Sequence, residues 1–394
     1  YQIMPLWAVI RLKCSAAASL PGSHSMQRIV RLAFLTLFAS LCQADDLPIS
    51  QQYQYTVKVD TEQGLYKAVK QANRRGNTLI LIADGIYQFS STLNITGNHV
   101  ALKSASGDPA TTILRGAGMV PSKRVKNLIR VTGHHFTFSG LTAESAPHHI
   151  IQIVGEANAD HAVIEHCVLQ NAYEQLLKVS HRANSQVAAD HGIIRHCTFG
   201  YTEGIGPQYY IGGVDLHLGQ HWRIESNQFF GIASPADKVA EHAIHLWNNS
   251  AHNQVVNNII INSDRGIGFG MGGRGNQGGL ITGNIVYHAD NNHPYADAGI
   301  ILESSPNTVV KQNRVIQHHG YPNAMEYRFE ATQGGVIAEN GTNKKIRKRN
   351  GGSAEIKDNY RLTELSPALK KTIIERFPAH YQQQVFDTLY PIRD

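Results

Sequence analysis

The chain repeats one short pattern, seen most clearly in WRIESNQFF at residues 222–230, NQVVNNIII at residues 253–261 and GLITGNIVY at residues 279–287. In each stretch an apolar residue is followed by two variable residues, an Asn, one further variable residue and another apolar residue. This pattern decides the fold, because it predicts short strands that meet a fixed bend at a regular spacing.

The pattern extends well beyond these three stretches, from residue 138 to residue 359. An apolar residue stands three positions before each bend, at Phe138, Ile164, Ile194, Ile224, Val255, Ile281, Val310, Ile337 and Ile356. The bend positions are Leu141, Cys167, Cys197, Asn227, Asn258, Asn284, Asn313, Asn340 and Asn359. Successive bends lie 19 to 31 residues apart. A period of this length indicates a solenoid, in which each unit buries its apolar face only by stacking on its neighbours.

The residues within the repeat favour strands over helices. β-Branched residues occupy alternate positions, and no helical pattern lies between successive repeats. Leucine-rich repeats have a similar period, but their leucine and asparagine spacing is missing from this sequence. We therefore predict an all-β fold, a single-domain parallel β-helix.

The recurring Asn stands where the pattern points inward, although a buried polar group needs hydrogen-bond partners. Stacked Asn side chains can satisfy their own amides and the backbone of the bend by hydrogen-bonding along the solenoid axis. Cys167 and Cys197 occupy two adjacent places in this ladder. They could form a disulfide or stack unbonded, since strands about 4.8 Å apart hold parallel Cβ atoms beyond the preferred disulfide separation of about 3.8 Å.

Both open ends of a solenoid need a cover. Residues 60–72 carry apolar residues at helical spacing behind Thr61, which predicts an N-terminal cap helix. Ser366 and Pro367 open a second predicted helix, and a third is expected from His380 onward. These helices are interpreted as structural caps.

The first 44 residues have the composition of a leader. A basic start with Arg28 and Arg31 follows Met26, an apolar run covers residues 32–41, and Ala44 precedes two Asp residues. This layout predicts a secretory signal peptide cleaved after Ala44, and the run is too short to span a bilayer. We expect a secreted or periplasmic protein with no membrane span in the mature chain. The predicted parts are a leader at 1–44, a segment with a cap helix at 45–75, the β-helix at 76–360 and a helical C-terminal cap at 361–394.

The composition is that of a globular protein, with 42% hydrophobic and 17% charged residues among 394. The net charge of +6 is misleading, because four basic residues and no acidic ones lie within the leader. The remaining chain has 32 basic and 30 acidic residues, which gives no electrostatic reason to expect a nucleic-acid partner.

Three features together resemble secreted right-handed parallel β-helix proteins of the pectate-lyase-like superfamily: LILIADGIY at residues 79–87, FSGL at residues 138–141, and the Asn-bearing repeats after them. The likeness covers roughly residues 55–360. It implies a right-handed coil and is weak for any one activity, since one fold hosts many functions. The paired Asp and Gly-His-Gly signatures of polygalacturonases and the Asp-Pro-His-Asp of mannuronan epimerases are missing from the sequence. Neither the calcium-binding carboxylates of pectate lyases nor the lysine and arginine pair of alginate and chondroitin lyases can be placed.

A further strand precedes each bend strand, and its alternation leaves one row of side chains facing solvent. The row comprises Gln152, Lys178, Asp215, His217, His245, Trp247, Gly268, Gly270, Ile301, Glu303, Glu326 and Arg328. The sequence leaves open whether Asp215 or His217 is level with His245. Long insertions at 201–213, 232–242 and 289–298 are expected to form walls beside this row, enclosing a trough floored by the two glycines.

The residue types in this trough suit an acidic polysaccharide. Trp247 could offer a flat surface to a sugar ring, with Tyr209 and Tyr210 on the first insertion. Arg265 and Arg274 could hold a uronate carboxylate by paired hydrogen bonds. Lys178 and Arg328 complete the predicted substrate-binding set.

Removing a proton next to that carboxylate requires a base and neutralisation of charge. His245 or His217 is the expected base, with Lys238 in reserve. Asp215 and Arg265 belong to the same predicted catalytic group, and Glu303 could act as an acid or bind a cation. The sequence does not decide whether the protein binds calcium as a cofactor.

The predicted function is that of an exported carbohydrate-active protein, a polysaccharide lyase or epimerase acting on a uronate-containing polymer as a monomer. A glycoside hydrolase is one alternative, but it needs two carboxylates either about 5 Å or about 6.5–9.5 Å apart, and Asp215 and Glu303 are several coils apart. A non-catalytic glycan-binding protein, adhesin or accessory factor is the other alternative.

Overall fold

Each coil of the chain contributes strands in turn to three parallel sheets, which we call sheet 1, sheet 2 and sheet 3. The computed structural model describes residues 52–122, 125–235 and 238–391. The predicted leader, with Cys14, Met26 and Cys42, lies outside the described residues. In the described part of the chain, no helix is both long and apolar enough to cross a membrane.

The strand bounds show the winding directly. Sheet 1 contains Tyr55–Val59, Thr78–Ile82, Val100–Ser104, Thr137–Ser139, Val163–Glu165, Ile193–Arg195, Arg223–Glu225, Gln254–Val256, Leu280–Thr282, Val309–Lys311, Gly335–Ala338 and Ala354–Lys357. Sheet 2 contains Gly85–Gln88, Thr112–Arg115, Thr142–Ala146, Val168–Ala172, Thr198–Gly200, Gln228–Phe230, Ile259–Ile261, Ile285–His288, Arg314–Gln317, Gly341–Thr342 and Tyr360–Arg361. Sheet 3 contains Leu93–Ile95, Ile129–Val131, Ile151–Val154, Gln175–Ser180, Gly212–His217, His242–Trp247, Arg265–Phe269, Ile300–Glu303, Asn323–Arg328 and Lys345–Arg349. Ser250–Ala251 and Asn276–Gln277 form a small additional pair.

The apolar positions of the repeat lie in register along sheet 1, from Phe138 to Ile356, each directly paired with its counterpart on the next coil. Most of these side chains are fully buried in one continuous core that runs along the coil axis. The predicted all-β parallel β-helix is therefore confirmed. Its stability comes from stacking, because a single coil has no second layer of its own to bury these residues against.

The Asn residues form the expected ladder at the bend after sheet 1. The side-chain oxygen of Asn284 accepts hydrogen bonds from the backbone N–H and the side-chain amide of Asn258, at 2.9 and 3.0 Å. The amide of Asn258 also donates to the carbonyl of Ile224 at 2.9 Å. Cys167 and Cys197 continue the ladder as free, buried thiols, so the disulfide alternative is not realised. The backbone N–H of Cys197 donates to Asn227 at 2.9 Å, which links the thiols to the amides.

The predicted cap helices are present. The N-terminal helix, Glu62–Arg75, begins behind Thr61, whose hydroxyl accepts a hydrogen bond from the backbone N–H of Gly64, and it buries its apolar face in the core. The C-terminal helices are Pro367–Arg376 and Ala379–Leu389. Their buried residues pack on apolar side chains on the outer face of sheet 2, from Phe230 to Ile316. A short 3-10 helix, Gly155–Ala157, completes the helical elements of the described residues.

A second ladder, which the sequence analysis missed, lies at the bend before sheet 1. Six histidines there stack with ring centroids 4.3 to 5.4 Å apart on successive coils: His99, His135, His161, His191, His221 and His252. All six have φ between 54° and 59°. The left-handed backbone at this bend repeats from coil to coil, which places the same side chain in the same direction each time.

Candidate functional site

The outward row of sheet 3 contains the candidate site. Register pairs its members in one line across the coils: Asn94, Arg130, Gln152, Lys178, Asp215, His245, Gly268, Ile301 and Glu326. Asp215 is level with His245, and His217 is level with Trp247, which resolves the alternative that the sequence left open.

Four side chains of this row form a tight polar cluster, which we call the Lys178 cluster: Lys178, Asp215, His217 and Trp247. Lys178 Nζ forms an ion pair with Asp215 Oδ2 and donates a 2.8 Å hydrogen bond to His217 Nε2. Trp247 Nε1 donates to Asp215 Oδ1 at 2.7 Å. The cluster spans three successive coils, so the stacking of sheet 3 alone brings its members together.

Burial and charge act in opposite directions on the acid of this cluster. Burial raises the pKa of Asp215, but the ammonium of Lys178 outweighs it and helps to hold the pKa well below its ordinary value. Burial lowers the pKa of His217, and Asp215 only partly offsets this. His217 is therefore a neutral imidazole at neutral pH, with its Nε2 lone pair directed at a lysine ammonium.

His245 lies deeper than predicted and is only 1% exposed. Its Nε2 lies 3.2 Å from the carbonyl oxygen of Gly270. Its Nδ1 faces Glu241 Oε2 at 3.8 Å and Asp215 Oδ1 at 4.0 Å. Burial lowers the pKa of His245 to about 4, against the influence of Asp215. A base must reach substrate, so this position does not fit the predicted role of His245 as general base.

Trp247 does not offer the open sugar-stacking surface that the sequence suggested. The indole is 8% exposed. His245 stacks parallel to it at 5.1 Å, His217 packs edge-on at 4.3 Å, and the guanidinium of Arg274 lies 4.1 Å from its centroid. The ring is enclosed because the loop after residue 270 places Arg274 over it. The exposed cation, and not the indole, is therefore presented to solvent.

The expected glycine floor is also covered. A Cβ on Gly268 would lie 2.5 Å from Nε2 of His242, so the glycine leaves room for that imidazole. A Cβ on Gly270 would lie 1.8 Å from the carbonyl oxygen of Glu303, so this glycine permits close approach of the next coil. His242 was missed by the sequence analysis, because Gly268 is in register with His245 and the residue in register with His242 is Arg265.

Arg328 is enclosed by acids instead of facing a substrate. Its guanidinium contacts Glu326 at 2.5 Å, Glu303 at 2.7 Å and Asp297 at 3.1 Å. Asp297 also holds Arg265 Nε at 3.3 Å. The side chain of Arg328 is therefore only 13% exposed and already paired with three carboxylates, which does not fit its predicted role in substrate binding.

The second carboxylate oxygen of Glu303 accepts a 2.5 Å hydrogen bond from the backbone N–H of Gly272. Both oxygens of Glu303 are thus engaged by protein groups. In its predicted role as an acid or cation ligand, Glu303 would have to use the remaining lone pair of one of these oxygens.

The first two long insertions lie near the Lys178 cluster, whereas His293 of the third contacts Ser234 and Asp264. Residues 201–211 carry Tyr209 and Tyr210, which are 39% and 41% exposed. Lys238, on the next insertion, lies over the Tyr209 ring at 4.7 Å. Burial raises the pKa of Tyr210, and Lys178 and Asp215 lie near enough to influence it electrostatically. Tyr210 is thus a protonated phenol beside the cluster.

A groove extends from the cluster toward the N-terminal coils. It is a cavity of about 810 Å³ on sheet 3, lined by Ser91, Thr92, Asn94, Lys126, Asn127, Arg130, His148, His149 and Gln152. Register connects it to the cluster, because Gln152 pairs with both Arg130 and Lys178. The sequence analysis missed this groove, since it searched beside the insertions and the groove lies on coils without them.

The sequence matches no known family model, and no curated protein matches it. Among solved structures the chain is similar to an alginate lyase from Paenibacillus sp. str. FPU-7, with 15% identity and a TM-score of 0.53 over 78% of this chain and 99% of that one. It is also similar to the A-module of the Azotobacter vinelandii mannuronan C-5 epimerase AlgE4, with 9% identity and a TM-score of 0.49 over 80% and 98%. At these identities the likeness shows the fold alone, and that fold is the parallel β-helix.

Proposed function

We propose that this chain is a carbohydrate-active enzyme that cleaves a uronate-containing polysaccharide by β-elimination on the outer face of sheet 3. The observation that carries the proposal is the neutral imidazole of His217 beside the ammonium of Lys178, at the end of a groove that contains Lys126 and Arg130. Cations along the groove suit a polymer with one carboxylate per sugar. The fold likeness to an alginate lyase makes alginate the first substrate to test.

β-Elimination removes the proton next to the uronate carboxylate and expels the oxygen at the neighbouring carbon. In the proposed reaction, Lys178 turns from His217 to the substrate carboxylate and neutralises it, and Arg274 is the second available cation. His217 Nε2 then takes the proton, and its electron pair forms the carbon–carbon double bond as the glycosidic carbon–oxygen bond breaks. Tyr210 donates its phenolic proton to the departing oxygen. Asp215 positions Lys178 and His217 without touching substrate.

The base in this proposal is His217 in place of His245, because, of these two predicted bases, only His217 reaches the surface of the Lys178 cluster. Its side chain is 14% exposed, against 2% for His245. We also propose that the enzyme is exported, which rests on the predicted leader at residues 26–44.

A second candidate is a glycoside hydrolase, favoured by one pair of carboxylates. Burial raises the pKa of Glu241, whereas Lys178 holds the pKa of Asp215 low against the effect of burial. An acid and a base with pKa values driven apart are what a hydrolase requires. Both oxygens of Asp215 are engaged by Lys178 and Trp247, however, and the residue is only 4% exposed, which argues against direct contact with a substrate.

The product distinguishes these functions. The full chain is incubated with alginate, polygalacturonate and a glycosaminoglycan, while unsaturated product is followed by ultraviolet absorbance and new reducing ends are counted. A lyase gives both signals together, and His217→Ala and Tyr210→Phe each lower turnover by about 100-fold or more. His191→Ala, on the stacked ladder away from sheet 3, is the matched control and keeps full turnover. Reducing ends without unsaturation would establish the hydrolase, and binding without either signal would establish a glycan-binding protein.

A further inference from the structure

We infer that Glu241, His242 and His245 form a binding site for a divalent transition-metal cation of the Zn²⁺ type. The three residues, which we call the Glu241 triad, lie on and just before the strand His242–Trp247 of sheet 3, and His245 stacks on Trp247 of the Lys178 cluster. The inference does not depend on the proposed reaction, since it concerns a binding site and not the chemistry above it.

The spacing of the triad suits a single ion. Each residue offers one ligand atom, and these atoms all lie within 4.8 Å of one another. Glu241 Oε2 and His245 Nδ1 are 3.8 Å apart, and the two imidazole centroids are 4.3 Å apart. Tetrahedral Zn²⁺ with bonds of about 2.0–2.1 Å separates its ligand atoms by about 3.3 Å. Closing a separation of 4.8 Å to this value requires each of the two ligand atoms to move by about 0.75 Å.

The triad also contains the polar atoms that most need a partner. Glu241 Oε2 and both ring nitrogens of His242 are buried without any hydrogen-bond partner. A buried polar atom that is left unsatisfied destabilises the folded state. An imidazole with two orphaned nitrogens is difficult to explain as packing, because an apolar residue of similar shape would avoid that cost. A bound cation satisfies the carboxylate oxygen and one of these nitrogens at once.

The tautomer of His245 is already the one that a metal needs. A carbonyl oxygen only accepts hydrogen bonds, so the 3.2 Å contact with Gly270 requires the proton of the neutral ring to be on Nε2. Nδ1 is then unprotonated, and its lone pair points toward Glu241 Oε2. Metal-binding histidines characteristically donate their other N–H to a carbonyl or carboxylate, and Gly270 supplies this second contact.

The types of ligand atom in the triad indicate which cation the site would bind. Two imidazoles and one carboxylate suit Zn²⁺ and its neighbours, whereas Ca²⁺ takes six to eight oxygens. This assignment therefore differs from the calcium left open by the sequence. Asp215 Oδ1, 4.0 Å from His245 Nδ1, adds negative charge near the triad. Arg265 is the competing cation, 4.0 Å from Glu241 Oε2, but Asp297 holds its Nε at 3.3 Å on the other side.

Gly268 supports the same interpretation from the neighbouring coil. A side chain at this position would collide with the His242 ring, since its Cβ would lie 2.5 Å from Nε2. The coil therefore leaves a space that only this imidazole fills. The His242 ring has no hydrogen-bond partner in this space, as expected of a histidine whose ring nitrogen binds a ligand.

The test uses the full chain, stripped of metal with a chelator and titrated with Co²⁺, whose visible absorption reports four-coordinate binding. His134 and His135 must first be replaced by Gln, because with His99 they form a second, more exposed histidine cluster that could bind the probe. In that background we expect one equivalent of Co²⁺ with an intense visible spectrum, displacement by Zn²⁺, and no competition from Ca²⁺.

Two variants then assign the site. Glu241→Gln keeps the size of a partly exposed side chain and is expected to weaken Co²⁺ binding at least tenfold, and His242→Ala is expected to abolish the spectrum. The matched control His217→Ala removes the proposed base and retains the full Co²⁺ spectrum, which separates failure of the reaction from failure of the metal site. Unchanged affinity in Glu241→Gln, or a weak octahedral spectrum in the parent, would overturn the inference.

Discussion

Trp247 and Asp215 are joined across adjacent coils by a 2.7 Å hydrogen bond from the indole Nε1 to the carboxylate Oδ1. The other oxygen of Asp215 holds the ammonium of Lys178. A carboxylate engaged on both sides and 4% exposed cannot also attack or protonate a substrate. The pair therefore fixes the positions of Lys178 and His217, and the aromatic residue that the sequence suggested for sugar binding instead supports the acid.

Replacing Trp247 by Phe tests this positioning role. The variant removes the donor to a buried charged acceptor, which is expected to lower the free energy of unfolding by about 2 kcal/mol. Turnover on the cleaved substrate is expected to fall as well, since His217 packs edge-on against the same ring at 4.3 Å. Urea denaturation and initial rates measure the two effects.

Trp222→Phe is the matched control for that variant. Trp222 is fully buried, and its Nε1 donates at 2.7 Å to the backbone carbonyl of Ala189, which is not a member of the Lys178 cluster. This variant should lose stability while keeping its turnover number. Equal losses of turnover in both variants would mean that Trp247 acts only through general stability.

The fold could be predicted closely because its cause is local and repeated. Every coil must place an apolar residue three positions before the bend, and this requirement produces the same sequence pattern from Phe138 to Ile356. Strand alternation then gave the outward row of sheet 3 correctly as far as Glu326, since side-chain direction follows from a period of two.

The details of the candidate site could not be predicted in the same way. Whether an outward side chain stays open depends on what the next coil lays over it, as Arg274 does over Trp247. Whether a charged residue is free depends on acids far along the chain, as Asp297 and Glu303 show for Arg328. Strand alternation predicts the direction in which a side chain points. Whether that side chain is covered or ion-paired depends on contacts between coils, and these contacts leave no periodic pattern in a single sequence.

The Asn ladder should be a main source of stability in the coil. Asn284→Ala leaves the backbone N–H and the side-chain amide of Asn258 without their acceptor, and the carbonyl of Val255 without its donor. We expect the free energy of unfolding to fall by about 3 kcal/mol, as several buried groups are left unpaired. Urea denaturation followed by circular dichroism measures it.

Asn359→Ala provides the comparison at the end of the same ladder. Its side chain makes equivalent bonds to Asn340 and Ile337 but is only partly buried, so water can replace the lost partners. The expected loss is below about 1 kcal/mol. Similar losses at Asn284 and Asn359 would contradict the view that burial makes the ladder stabilising.

The two ladder thiols should remain reduced and unreactive in the folded protein. Cys167 and Cys197 are 2% and 0% exposed, and burial raises the pKa of Cys197 well above its ordinary value, which suppresses the thiolate. Starting from the chain cleaved after Ala44, a thiol reagent is expected to modify no cysteine in buffer and two in denaturant. Stability should be the same with and without reductant, and a reductant-dependent melting temperature would indicate a bond between them.

Acid should destabilise the protein through histidines that are buried in the neutral form. Burial lowers the pKa of His288 to about 4, and the hydrogen bond to the backbone carbonyl of Ala289 only partly offsets this. Because the unfolded chain titrates near pH 6.5, it binds the proton first as the pH falls, so stability is complete above that value and is lost progressively between pH 6.5 and pH 4. The loss from this one residue, which is 1% exposed, is about 2 kcal/mol at pH 5.

His288→Asn can keep the hydrogen bond to the Ala289 carbonyl while removing the titration, so its stability should depend less steeply on pH over this window than that of the parent. Urea midpoints at pH 7.5, 6.0 and 5.0 compare the two slopes, and parallel slopes would show that His288 is not a source of the acid sensitivity.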